Sequence, residues 1–188
     1  MPATLLAGPA AEPLTLAEAK AYLRVDHDAE DALISSLITA ARATVEALTR
    51  RLLIDQSWRI TLSAWPASGL VVAPVNPLRA LTAAWIVDAA GEEIALPLDA
   101  FVADAARLPG LIRVDRGALP APSRPLAGIA LDVTAGHGEG ADHVPSPLIE
   151  AVRIVLGHFY EHRDVPGPSA AFPAALDALV APFRVARL

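Results

Sequence analysis

Residues 28–53, DAEDALISSLITAARATVEALTRRLL, form the longest stretch of the chain with a single unambiguous period. Leu33, Leu37, Ala41, Val45, Leu48 and Leu52 recur at steps of three and four, with Ile34 and Ile38 beside them, which marks an apolar stripe on an α-helix. Ser35, Thr39, Arg42, Glu46 and Arg50 occupy the other side, so the helix is expected to be amphipathic with one wet face. Asp28, Glu30 and Asp31 at its start and Arg50 and Arg51 at its end complement the helix dipole. At about 1.5 Å per residue it would reach roughly 35 to 39 Å, the width of a small domain, and the remaining elements are expected to pack against it.

Working outward toward the N-terminus, Val25, Asp26 and His27 make the turn into this helix, preceded by a short helix over residues 15–24. Thr15 and Glu18 have capping-box spacing, with Leu14 placed to staple the entry. Residues 1–13, rich in Ala and Pro, read as a flexible arm.

Toward the C-terminus the period falls from near four to two. Residues 57–62, 69–73, 81–87, 92–96, 101–103, 111–114 and 128–134 read as strands, separated by the Pro74–Val75–Asn76–Pro77 turn, the Asp88–Gly91 hairpin turn and a series of prolines. The segment LPAPSRP, containing Leu119, Pro120, Pro122, Arg124 and Pro125, is too proline-rich for a ladder and is expected as an exposed loop. A glycine run at 136–140 ends the β-region. Helices are then expected over 147–163, opened by Pro147 and stopped by Pro166–Gly167–Pro168, and over 173–180. The expected fold is α+β, mainly α: a helical bundle built on the long helix, with an antiparallel β-meander inserted over 57–134 and extended terminal arms. A single domain over 14–180 would end in a tail over 181–188.

Composition narrows the function classes. The 188 residues include no Cys, which excludes thiol catalysis, thiolate metal sites and disulfides. The net charge of −6, with one Lys (Lys20) against fourteen Arg, argues against a protein that wraps DNA phosphates. The arginines are scattered and form no basic stripe with interleaved aromatics. No uninterrupted run reaches the 18 or so apolar residues of a spanning helix, and the N-terminus lacks the basic opening of a secretory signal, so the expectation is an uncleaved cytoplasmic chain with no membrane partner.

Several motifs invite chemistry. His158, Glu161 and His162 match the H-x-x-E-H pattern of inverted zinc peptidases, with two imidazoles one helical turn apart and Glu161 as general base. The third ligand is missing, because no Glu follows Glu161 and only Asp164 and Asp177 remain. The bland alternative is an ordinary helix C-terminus with favourable cations. The glycine run has no P-loop Lys, no Ser sits in a G-x-S-x-G elbow, and Asp26, Asp28, Glu30 and Asp31 lack the spacing of a calcium loop. Trp58 and Trp85 read as core residues, while Trp65 beside Pro66 reads as an interface candidate. No catalytic or metal residue and no cofactor is assigned.

Three blocks carry a resemblance: residues 14–58, LTLAEAKAYLRVDHDAEDALISSLITAARATVEALTRRLLIDQSW; residues 133–164, VTAGHGEGADHVPSPLIEAVRIVLGHFYEHRD; and residues 176–188, LDALVAPFRVARL. Together they resemble the head-tail connector proteins of tailed bacteriophages, the portal adaptors, which also occur in the phage-like gene transfer agents. The resemblance implies a non-enzymatic virion protein without cofactor, assembled in the bacterial cytoplasm into a ring, usually a dodecamer, at the particle neck. Its implied partners are the portal protein, a stopper or tail terminator, and further copies of itself, with double-stranded DNA passing through the ring without sequence-specific binding.

Two surfaces are candidates within that frame. Phe183, Arg184, Val185, Arg187 and Leu188 combine apolar anchors with arginines and are expected to dock on the portal. Leu119, Pro120, Pro122, Arg124 and Pro125 are expected to meet the next tail component. The competing readings are a small zinc-dependent hydrolase built on His158, Glu161 and His162, and a cytoplasmic scaffold unrelated to phages.

Overall fold

A computed structural model describes residues 1–162 and 172–185. The chain is a mixed α+β protein with four α-helices and two antiparallel sheets among the described residues, a more even balance than the mainly α expectation. It divides into two compact units rather than one domain with arms: residues 1–9 with 55–137, and residues 10–54 with 138–188.

The second of these units is helical. Helix α1, Leu16–Leu23, opens on the expected capping box: the Thr15 hydroxyl accepts from the Glu18 amide at 3.2 Å, and the Glu18 carboxylate accepts from the Thr15 amide at 2.8 Å. Helix α2, Asp31–Thr49, is shorter at both ends than the stretch 28–53 suggests. It stops because Arg50 turns left-handed at φ 57°, and Glu46 continues the chain's hydrogen bonding by accepting from the Leu53 amide at 2.9 Å. The last turn therefore holds no basic residue, contrary to the dipole expectation for Arg50 and Arg51. Helix α3, Ser146–Glu161, and helix α4, Ala174–Val180, complete the unit. Residues 163–171, which include the Pro166–Gly167–Pro168 stop, lie outside the described residues.

The buried stripe of α2 is centred on Ile34, Ile38, Ala41 and Val45, with Leu37 and Leu48 on its flank. It packs with Leu148, Ala151, Val152, Val155 and Leu156 of α3 and with Leu176 and Val180 of α4. Burying side chains of this size contributes roughly 1.5 to 3 kcal/mol each, which makes this core the main support of the unit. Arg42, expected on the wet face, is buried; Glu12 accepts from its Nε at 2.8 Å and Glu46 from its Nη1 at 2.9 Å. Burial pulls the Arg42 pKa down, but those two carboxylates outweigh it and the net shift is upward. By length and mean hydropathy α2 is long and apolar enough to cross a membrane, yet its apolar residues are the core of this unit.

The other unit is built of strands. Its larger sheet has the order β1-β2-β8-β4-β5, where β1 is Ala3–Ala7, β2 is Gln56–Leu62, β8 is Ile129–Ala135, β4 is Leu78–Val87 and β5 is Glu93–Ala95. This is no simple meander, since β8 lies between β2 and β4. Residues 3–7, read as part of an arm, instead form an edge strand paired with β2, Ala3 opposite Ile60 and Leu5 opposite Trp58. The smaller sheet has the order β3-β7-β6, from Leu70–Val72, Leu111–Val114 and Phe101–Asp104.

Alternation sets the faces of the larger sheet. Ile60, Leu131 and Ala84 pair across β2, β8 and β4 on the buried face. On the opposite face Arg59 stands across from Asp132 and binds it twice, at 2.7 and 2.8 Å. Trp85 donates to the same carboxylate at 3.2 Å, and Glu93 of β5 accepts from the other arm of Arg59. This network crosses four strands of the sheet. Burial pushes the Asp132 pKa up, the bonds from Arg59 and Trp85 pull it down, and the net displacement is downward.

Two close approaches explain glycines in the sequence. A Cβ on Gly136 would lie 2.6 Å from the Asp55 backbone, and one on Gly138 would lie 2.3 Å from the His143 side chain. The glycine run is thus shaped by packing at the end of β8. Asn76, in the turn before β4, is buried and accepts from the Gly110 amide at 3.1 Å, which anchors that turn to the start of β7.

Candidate functional site

The C-terminal segment follows α4 as a single 3-10 turn, Ala181–Phe183. Phe183 packs half-buried against the helical core, and the Arg51 guanidinium sits over its ring, 5.5 Å from the centroid. Arg51 also donates from Nε to the Phe183 carbonyl at 2.6 Å, and the Val185 amide donates to the Thr49 carbonyl at 3.0 Å. Burial lowers the Arg51 pKa. Phe183 and Val185 are therefore fastened to the end of α2, where the sequence suggested a free tail. Arg184 is exposed and pairs with Asp177 at 2.7 Å. Arg187 and Leu188 lie outside the described residues.

The proline-rich segment is divided in a similar way. Pro120, Arg124 and Pro125 are exposed, Pro122 is half-buried, and Leu119 is buried at 8%. Trp65 donates from its indole to the Pro120 carbonyl at 2.9 Å and packs its ring on Phe101, with centroids 5.9 Å apart. Trp65 thus serves as the prop of this loop instead of standing free at an interface.

The H-x-x-E-H motif falls at the end of α3, beside an open hollow of about 680 Å³ lined in part by Tyr22, Arg24, Glu161 and Pro173. The rings of His158 and His162 stack face to face, 4.4 Å apart and 26° from parallel, so their nitrogens do not converge on one point. Nδ1 of His162 lies 2.9 Å from the His158 carbonyl, and Phe172 packs on the His158 ring at 4.9 Å. No cluster of three potential metal ligands occurs among the described residues, and the geometry gives the hydrolase reading no support.

The acidic start of α2 is likewise committed. Lys20 bridges Asp28 at 2.6 Å and Asp31 at 2.7 Å, which raises the Lys20 pKa and lowers that of Asp28. Glu30 accepts from the Tyr160 hydroxyl of α3.

One surface escaped the sequence reading. On the outward face of the smaller sheet, Leu70, Arg113 and Val102 lie in one row across the strands, and Val72, Leu111 and Asp104 in the next. Leu70 is 42% exposed, Val72 38% and Val102 63%, while Val71 and Ile112 on the inner face are fully buried. The signal was present in GLVVA, FVAD and LIRV, where apolar residues fill both phases of the alternation.

Residues 13–82 match the family of phage gp6-like head-tail connector proteins. Among solved structures, a chain in the neck of an empty gene transfer agent (GTA) particle computed with C6 symmetry is 31% identical, with a TM-score of 0.81, covering 100% of this chain and 97% of that one. A chain in the virion of the native GTA particle is 28% identical with a TM-score of 0.83, and one in the native neck computed with C12 symmetry is 28% identical with a TM-score of 0.76, each at the same coverage. No curated protein is matched by the chain.

Proposed function

The chain belongs to the gp6-like head-tail connector family, and from that premise we propose that it forms a dodecameric ring in the neck of a phage-like particle of the gene transfer agent kind, between the portal protein and the next tail component. A structural connector role is the established part. The observation that carries the finer reading is likeness along the whole chain to a protein of a particle neck. Necks of sixfold and twelvefold symmetry support cyclic self-association, in which each copy presents two different surfaces to its neighbours.

Within this reading the C-terminal segment meets the portal through Arg184, which is exposed, and through Arg187 and Leu188 of the sequence that follows. Phe183 and Val185 act from behind, holding that segment on the helical unit through Arg51 and Thr49. The loop tip at Pro120, Arg124 and Pro125 meets the stopper or tail terminator, stiffened by its prolines and held by Trp65. The net charge of −6 suits a channel through which duplex DNA slides without sticking. Assembly takes place in the cytoplasm of the producing bacterium.

Particles made without this chain test the proposal. The expected product, seen by electron microscopy, is DNA-filled heads without tails and free tails beside them. Normally joined particles would overturn it.

A further inference from the structure

The ring reading requires two unlike surfaces on each copy, and the strand-built unit carries a pair that fits. Resting on that reading, we propose that the outward face of the β3-β7-β6 sheet receives the β4–β5 hairpin of the next copy, with Ile94 as the inserted anchor.

The receiving face is apolar where an ordinary solvent face is polar. Leu70, Val72, Val102 and Leu111 make four of its six positions, Arg113 stands between Leu70 and Val102, and Asp104 ends the other row beside Leu111. A contiguous exposed apolar field on a small sheet marks a contact that is covered in the working assembly, and a guanidinium set within it selects an acidic partner.

The hairpin has the complementary make-up. Every residue of β5 is exposed, Ile94 is 55% exposed, and the exposed Glu92 lies two residues before it, while Asp88 accepts from the Ala90 and Glu92 amides of the turn. Glu93 is bound to Arg59, which holds the strand in place while its edge stays unpaired. An apolar anchor with Glu92 beside it thus faces an apolar field that carries Arg113.

Two rival occupants fit less well. Two copies of the face packed on each other would close as a dimer, not a ring. The other open edge of the larger sheet, β1, exposes Leu5 at 47% and Leu6 at 50%, but ATLLA has no acid to meet Arg113.

The cysteine-free sequence makes the test direct. Val102→Cys and Ile94→Cys together, at two exposed positions, should leave the melting curve unchanged. Under mild oxidation, in purified chain and in assembled particles, the double variant should give a ladder of disulfide-linked multimers that collapses on reduction. Each single variant should give no rung above the dimer. Adding Arg113→Glu should reduce the ladder by about tenfold or more, and Glu92→Arg added to that should restore it. A double variant that stays monomeric on the gel while necks assemble normally would overturn this contact and leave the ring reading standing. Absence of the chain from the necks would overturn both.

Discussion

Replacing Phe183 by Ala separates two roles that the apolar C-terminal residues can play, docking on a partner or completing the chain's own core. The ring is half-buried against the helical core and lies under the Arg51 guanidinium. Full burial of Phe contributes about 1.5 to 3 kcal/mol, so this half-buried ring supplies about 1 to 1.5 kcal/mol. The cation–π contact adds about 0.5 to 1 kcal/mol. The Arg51 bond to the Phe183 carbonyl survives the substitution, because its acceptor is backbone. The expected loss is about 2 kcal/mol, a fall in melting temperature of about 4 to 8 °C for a chain of this size. Circular dichroism at 222 nm, a helix-sensitive wavelength, would follow the helical unit. Melting unchanged from the wild type, with portal binding lost, would refute the packing argument and make Phe183 a free docking residue.

The remaining predictions concern the sheet network and the cap. Arg59→Ala leaves the Asp132 carboxylate, 14% exposed, facing Trp85 alone, and should cost about 2 to 3 kcal/mol in chemical denaturation after allowance for its partial exposure. Because the folded pKa of Asp132 is depressed, its contribution is present above the unfolded value near 3.9 and lost as pH falls through the folded value. The acid-unfolding midpoint should therefore rise in Arg59→Ala; a midpoint unmoved from the wild type would count against the network. Thr15→Ala removes the side chain that closes the α1 capping box and should cost about 1 kcal/mol in thermal melting, with Thr15→Ser largely preserving stability.

What the sequence disclosed and what it concealed divide along the range of the interactions. The capping box, the stripe of α3 and the boundaries of β2, β7 and β8 depend on neighbours within a few residues, and they were legible to within a residue or two. The end of α2 was not, because Arg50 ends it by adopting a left-handed backbone within a sequence that keeps its apolar period through Leu52. Residues 3–7 looked like an arm because they lie in a stretch rich in Ala and Pro, and pairing with residues 57–60 makes a strand of them. The placing of β8 between β2 and β4, and the division of the chain into two units, likewise depend on contacts far apart in sequence.

The same limit applies to the candidate surfaces. Phe183 and Leu119 carry the apolar character expected of anchors, but composition does not distinguish an anchor aimed at a partner from one aimed at its own core. Arg51, more than a hundred residues away in sequence, is what fastens Phe183 to the chain's own helical unit. For the His158, Glu161 and His162 motif, ring stacking decides against a shared metal, although the spacing matched. The outward face of the smaller sheet was readable in principle, since its strands are apolar in both phases.

The most direct test of the connector account is the mass, by light scattering after size exclusion, of the portal protein of the same particle, measured with and without the chain. The account predicts a complex that gains one copy of 19.6 kDa for each portal subunit. Co-elution failing at every salt concentration, with the portal mass unchanged, would contradict it.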